Sequence, residues 1–206
     1  MIEEEIQTAA SEVLPCDLLA QTFLEGPVQL DAEANALWER YLCEAPAVVG
    51  KSWHEAQQAL NDSGGPERVW ADFRHCVQVP VPTHYVPAYA SCYLDKPAVI
   101  WGPTTYWVLA RYEESGLDWQ AHHHVVAPDH AAVEWAFLAE LGARMNPQDR
   151  QMRQRFVSEH MLKWFPLFLE PLQQAVSTPY YPALGRLGLA WLKRAAHKEE
   201  IVGGTT

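Results

Sequence analysis

Positive charge is what the sequence has least of. Lys and Arg total 15 against 26 Asp and Glu, a net charge of −11 over 206 residues, so the surrounding potential is negative and nucleic acid is disfavoured as a partner. A basic peptide or cationic ligand is attracted instead, although surface acid also serves solubility. Charge of either sign is sparse, at 20% of residues, while 49% are hydrophobic. Such a chain offers enough apolar surface to offset the entropy of ordering, and disorder is expected only at the ends. Cysteine is scattered: Cys16, Cys43, Cys76 and Cys92 show no C-x-x-C spacing, which points away from zinc or redox chemistry and towards reduced thiols in a cytoplasmic protein. The opening MIEEEIQTAA lacks the basic and apolar regions of a secretory signal. No run approaches the roughly 20 apolar residues of a membrane span. Phosphate-binding loops, G-x-S-x-G elbows and long internal repeats are absent too.

Alternation at period two is also missing. Apolar residues instead recur at spacings of three and four, which predicts an all-α fold, read as one helical domain over residues 1–200 with a tail at 201–206. Cys16 to Leu24 is a short apolar run stopped by Gly26-Pro27. Asp31 caps a segment carrying Leu37, Trp38 and Tyr41, Ser52 to Leu60 forms a short helix, and Pro66 starts another with Val69, Trp70 and Phe73 on one face. Three prolines in QVPVPTHYVP make residues 78–88 an extended linker between N- and C-terminal helical parts. A linker of this kind permits exchange of helices between protomers, so the expected state is a monomer or a domain-swapped dimer. ASCYLD and PAVIWG fit either a hairpin or a helical turn. Thr104 is expected to cap a helix that Gly116 ends, and Asp129 to Met145 reads as a strong helix with Val133, Phe137 and Leu141 at spacings of four. Pro147 starts the next helix, which Pro166 bends or restarts, and Thr178-Pro179 opens the last one.

The chemistry-bearing stretch is HHHVVAPDHAAVEWAFLAEL, residues 122–141. On an extended chain neighbouring side chains diverge, so at most two of His122, His123 and His124 reach one ion, with Asp129 or His130 as a third ligand. A metal-dependent enzyme built on this cluster is one reading; a polar loop is the other, and no fixed-spacing pair such as H-E-x-x-H supports the metal. Pro128-Asp129 makes a sound helix entry, the Asp129 carboxylate accepting first-turn N–H groups while His130 points outward, free to donate to a ligand. Trp70, Trp101 and Trp107 are core residues or the lining of an apolar groove. An acidic helical protein with an aromatic groove suits a peptide with a basic end and an apolar stretch.

Five segments, taken in order, resemble the TorD/DmsD/NarJ family of redox-enzyme maturation chaperones: VPAYASCYLD (86–95), WGPTTYWVLARYEESGL (101–117), APDHAAVEWAFLAEL (127–141), EHMLKWFPLF (159–168) and TPYYPALGRLGLAWL (178–192). The resemblance implies a cytoplasmic, non-enzymatic helical chaperone with no cofactor of its own. Its partners would be the twin-arginine signal peptide and the apoprotein of a molybdenum-cofactor oxidoreductase, which it would assist in cofactor insertion and export. The family's signal-peptide-binding residues map onto Pro128, Asp129 and His130, onto Tyr89, Ser91, Tyr93 and Leu94, and onto Trp70 and Gly102. Ala127 stands where the family usually has an acid, and the triple histidine matches no family feature. Paired guanidinium groups followed by an apolar stretch call for carboxylates beside a hydrophobic groove, which agrees with that mapping.

Overall fold

The structure, a computed structural model, describes residues 2–80, 83–119, 126–144 and 146–197, with side chains from residue 13 onward. The helices are α1 (Ile2–Glu25), α2 (Ala32–Glu44), α3 (Ala47–Asn61), α4 (Gly65–Asp72), α5 (Ser91–Leu94), α6 (Pro103–Glu114), α7 (Ala131–Arg144), α8 (Pro147–Phe156), α9 (Leu162–Ala175) and α10 (Tyr180–His197). Two π-helical turns extend this set. Phe73–Gln78 continues α4, and Val157–Met161 joins α8 to α9 into one unbroken run. Pro166 therefore neither ends nor restarts the helix. Among the described residues no strand forms, and the all-α expectation holds; ASCYLD contributes the turn α5 rather than a hairpin.

Local chemistry explains several boundaries. The Asp31 carboxylate accepts the Ala34 N–H at 2.8 Å, as its cap position predicts. Gly116, at φ +71°, ends α6: its N–H reaches the Glu113 carbonyl and the Leu117 N–H the Tyr112 carbonyl, the paired bonds of a left-handed C-terminal cap. Other ends depend on distant partners. Thr104 is not a cap. Its hydroxyl donates to Asp95 Oδ1 and its N–H to Asp95 Oδ2, while Gly102 occupies the cap position of α6. Thr178 likewise gives both its hydroxyl and its N–H to Asp72. α1 is far longer than its apolar run, continuing through Pro15.

α1 packs most extensively on α7, and α10 on α3. Where these layers meet, the core is aromatic. Phe23 lies edge-on to Phe168 (5.5 Å), Trp135 to Phe165 (5.3 Å) and Phe137 to Phe156 (5.0 Å), while Trp38 stacks on Trp53 at 4.4 Å. Each such pair adds roughly 0.5–1.5 kcal/mol beyond area burial. The segment after α4 is pinned to this core where the Val86 N–H donates to the Cys76 carbonyl at 2.7 Å.

Candidate functional site

Two of the five motif segments, 86–95 and 127–141, meet at the start of α7. Tyr89 and His130 form an isolated antiparallel bridge. The Ala90 N–H donates to the Asp129 carbonyl (2.9 Å) and the Ala131 N–H to the Ala88 carbonyl (2.7 Å). Asp129 Oδ2 accepts the Ser91 N–H at 2.8 Å, so this carboxylate serves the start of α5 and not, as its position suggests, the first turn of α7. That turn is served by His130, whose Nδ1 accepts the Ala132 N–H at 3.2 Å, leaving the ring proton on Nε2. His130 does not point outward. It is buried, with its ring 4.8 Å from that of Tyr89.

Further bonds tighten the junction. The Tyr112 hydroxyl donates to the Pro128 carbonyl and the Tyr93 hydroxyl to the Pro87 carbonyl, both at 2.9 Å. Tyr93 stacks against Trp164, and Leu94 packs on the same core. Burial, reinforced by the Asp129 carboxylate, raises the Tyr89 phenol and the Cys92 thiol above their ordinary values. Both stay protonated at neutral pH, which removes Cys92 as a nucleophile. Asp129 itself is 0% exposed, and among the described residues its Oδ1 has no hydrogen-bond partner, nor has the buried Ser91 Oγ. Orphaned polar atoms of this kind are destabilising, by roughly 1–3 kcal/mol each, and mark places that a ligand or water completes.

The remaining predicted residues lie apart from this pair. Gly102 is required by packing, since a Cβ there would collide with the Asp95 carboxylate. Trp70 is 37% exposed, edge-on to Phe73, with its six-membered ring over Gly26. These contacts place Trp70 against the residue that follows α1 and the π turn that follows α4, not at the 129–130 turn. His122, His123 and His124 lie outside the described residues. Among those described, no group of three or more His, Cys, Asp or Glu side chains could hold a metal ion, and no helix is long and apolar enough to cross a membrane.

Sequence reasoning missed a second buried polar cluster. Glu134 accepts from the Trp164 indole N–H (2.8 Å) and contacts His160 Nε2 at 2.6 Å, with both acid and imidazole buried. Trp107 covers His160 with its ring centroid at 5.1 Å. Two signals were available: an acid on the apolar face of α7, three residues before Phe137, and the spacing of four between His160 and Trp164.

Comparisons with known proteins agree with the motifs. The nitrate reductase delta subunit family model matches residues 44–170. Chaperone protein TorD of Vibrio cholerae serotype O1 is 32% identical over 77 residues, covering 34% of this chain and 35% of that protein; the El Tor Inaba strain carries an equally similar one. The matched part thus spans about a third of the length of these curated relatives.

Proposed function

From a chain that belongs to the nitrate reductase delta subunit family, the family of the TorD and NarJ chaperones, we propose a cytoplasmic chaperone for a molybdenum-cofactor oxidoreductase. It binds the client's twin-arginine signal peptide and apoprotein, assists cofactor insertion and holds the client back from export until then. The observation that carries this reading is the junction itself. Residues 88–91 and 129–131, far apart in sequence, are bonded into one unit that contains a buried carboxylate oxygen without a partner among the described residues. A guanidinium is the group best matched to such an oxygen. Because Asp129 is fully enclosed, contact with the client requires the Tyr89–His130 bridge to part, which couples client binding to movement of the start of α7.

Titration calorimetry against a synthetic twin-arginine leader tests this. The leader is expected to bind, and Asp129→Asn and His130→Ala, checked for folding by circular dichroism, are each expected to weaken it by about tenfold, the scale of one charge-assisted hydrogen bond. Absence of binding to the wild-type chain defeats the functional reading. Unchanged binding by both variants defeats the site assignment alone.

A further inference from the structure

Two carboxylates, not one, are enclosed near the entry of α7. Asp129 and Glu134 are both 0% exposed, and the Glu134 N–H donates to the His130 carbonyl at 3.1 Å, so the first turn of α7 connects them. Tyr112 of α6 lies beside both: burial first, then the charge of Glu134 and that of Asp129, raise its phenol. Its hydroxyl donates to the Pro128 carbonyl and so serves neither acid. Each carboxylate therefore feels the other's charge in surroundings that screen it poorly.

Little in this cluster offsets two negative charges. His130 accepts the Ala132 N–H on Nδ1, which makes its ring neutral. His160 is the imidazole that meets Glu134, Nε2 to Oε1 at 2.6 Å, while the Trp164 N–H donates to Oε2 at 2.8 Å. Charged groups on neighbouring elements are engaged elsewhere. Asp17 of α1 faces Glu140, Arg111 of α6 lies over Trp107 and Arg153 of α8 over Trp191, and Asp149 of α8 is bonded to Asn146. One proton shared by Glu134 and His160 leaves the cluster with the single negative charge of Asp129; without it, two negative charges are buried together. Burial raises the Glu134 carboxyl to about 7 against the lowering influence of His160 and Trp164, and the charge of Asp129 adds to the rise.

We propose that Glu134 sets the pH dependence of client binding: a guanidinium arriving at Asp129 expels the proton that Glu134 and His160 share. The proposal rests on the chaperone reading above and gives Glu134 a part in it that acts through charge, without contact to the client. A cation on Asp129 cancels the negative charge that helps to keep the proton in place, so the proton leaves for solvent more readily. By linkage, a site that has lost the proton is more negative and holds the cation more tightly. Proton and client thus compete. Affinity is lowest below the range in which Glu134 ionises and highest above it.

Titration calorimetry of the full chain counts the protons released on binding when it is run at about pH 6.5 in phosphate and in imidazole, buffers whose heats of ionisation differ. The probe is a twin-arginine leader with blocked termini and no ionisable side chain except its arginines. Wild type is expected to release a fraction of a proton per leader, and its affinity to rise about tenfold from about pH 5.5 to about pH 7.5. Glu134→Gln, whose side chain imitates the protonated acid, is expected to release none, to match wild type at the low end of that range and to fall behind it at the high end. His160→Asn removes a group that lowers the Glu134 value, so the rise in affinity is expected to move to higher pH; it also supplies the test if Glu134→Gln does not fold. Wild-type binding with equal heats in the two buffers overturns the proposal and leaves the chaperone reading standing. So does a Glu134→Gln chain that releases as many protons as wild type, or one that is weaker by the same factor at every pH, the mark of a merely structural role. If the leader binds wild type at no pH, the chaperone reading itself falls, and this proposal with it.

Discussion

Asp72 and Asp129 are both buried acids, yet they are satisfied to very different degrees. Asp72 accepts four hydrogen bonds, from the N–H and the hydroxyl of Ser177 (2.8 and 2.8 Å) and of Thr178 (2.9 and 2.6 Å). It ties the end of α4 to the entry of α10 across more than a hundred residues. Among the described residues, Asp129 has one accepted N–H on its carboxylate and one oxygen with none. A fully satisfied carboxylate is the mark of a structural residue, and a half-satisfied one of a residue kept for something else. Asp72→Ala is therefore expected to destabilise the chain by roughly 3 kcal/mol, the loss of several bonds to a charged acceptor with their donors left buried. Asp72→Asn, which keeps one good acceptor, should recover part of that. Urea unfolding midpoints read both, and an alanine variant within 1 kcal/mol of wild type on the scale of a typical surface substitution would remove the structural role.

At the scale of elements, the last helix meets three others at one glycine. A Cβ on Gly188 of α10 would lie 2.9 Å from Leu19, 3.0 Å from the Trp135 ring and 3.3 Å from the Phe165 ring, so α1, α7 and α9 all close on that point. At Gly185 a Cβ would meet the side chain of Leu169, whose tip can swing aside. Alanine gains up to about 1 kcal/mol of helix propensity at either site, against roughly 1–3 kcal/mol of overpacking where rigid rings cannot yield. Gly188→Ala is expected to lower the unfolding midpoint while Gly185→Ala leaves it level or raises it; equal midpoints would show that the crossing has slack. The contrast also shows what the sequence could disclose. Helical spacing, the Asp31 cap and the Gly116 stop depend on neighbours within a few residues, and all were legible. Thr104 and Thr178 stood at cap positions, but their hydroxyls are taken by Asp95 and Asp72, acids brought in by the fold. The motif residues 89–94 and 128–130 were singled out from sequence and do converge. That Asp129 and His130 are enclosed at that junction depends on a bridge between distant segments, which no local pattern specifies.

For the molecule as a whole, the Glu134–His160–Trp164 cluster makes stability depend on pH. Burial pushes the Glu134 carboxyl from 4.5 up to about 7, opposed by the charge and hydrogen bond of His160 and by the Trp164 N–H, and assisted by the charge of Asp129. Tyr112, buried beside the same acids, is raised further above its own high range and stays neutral throughout. Since the folded chain holds the Glu134 proton more tightly than the unfolded chain does, folded molecules bind more protons between pH 4.5 and about 7. Stability from this group is then fully present below the lower value, falls as pH rises through the window, and is gone above it. A displacement of this size corresponds to roughly 3 kcal/mol. Glu134 Oε1 and His160 Nε2 lie 2.6 Å apart, close enough to share a proton, at the contact between α7 and the π turn Val157–Met161. Glu134→Gln keeps an acceptor for the Trp164 indole and removes the titration. Urea unfolding of wild type and Glu134→Gln across pH 5 to 7.5 is expected to show the wild-type advantage shrinking steadily as pH rises. Two curves that stay parallel across that range would mean that Glu134 is ionised throughout and held by His160 as a permanent ion pair.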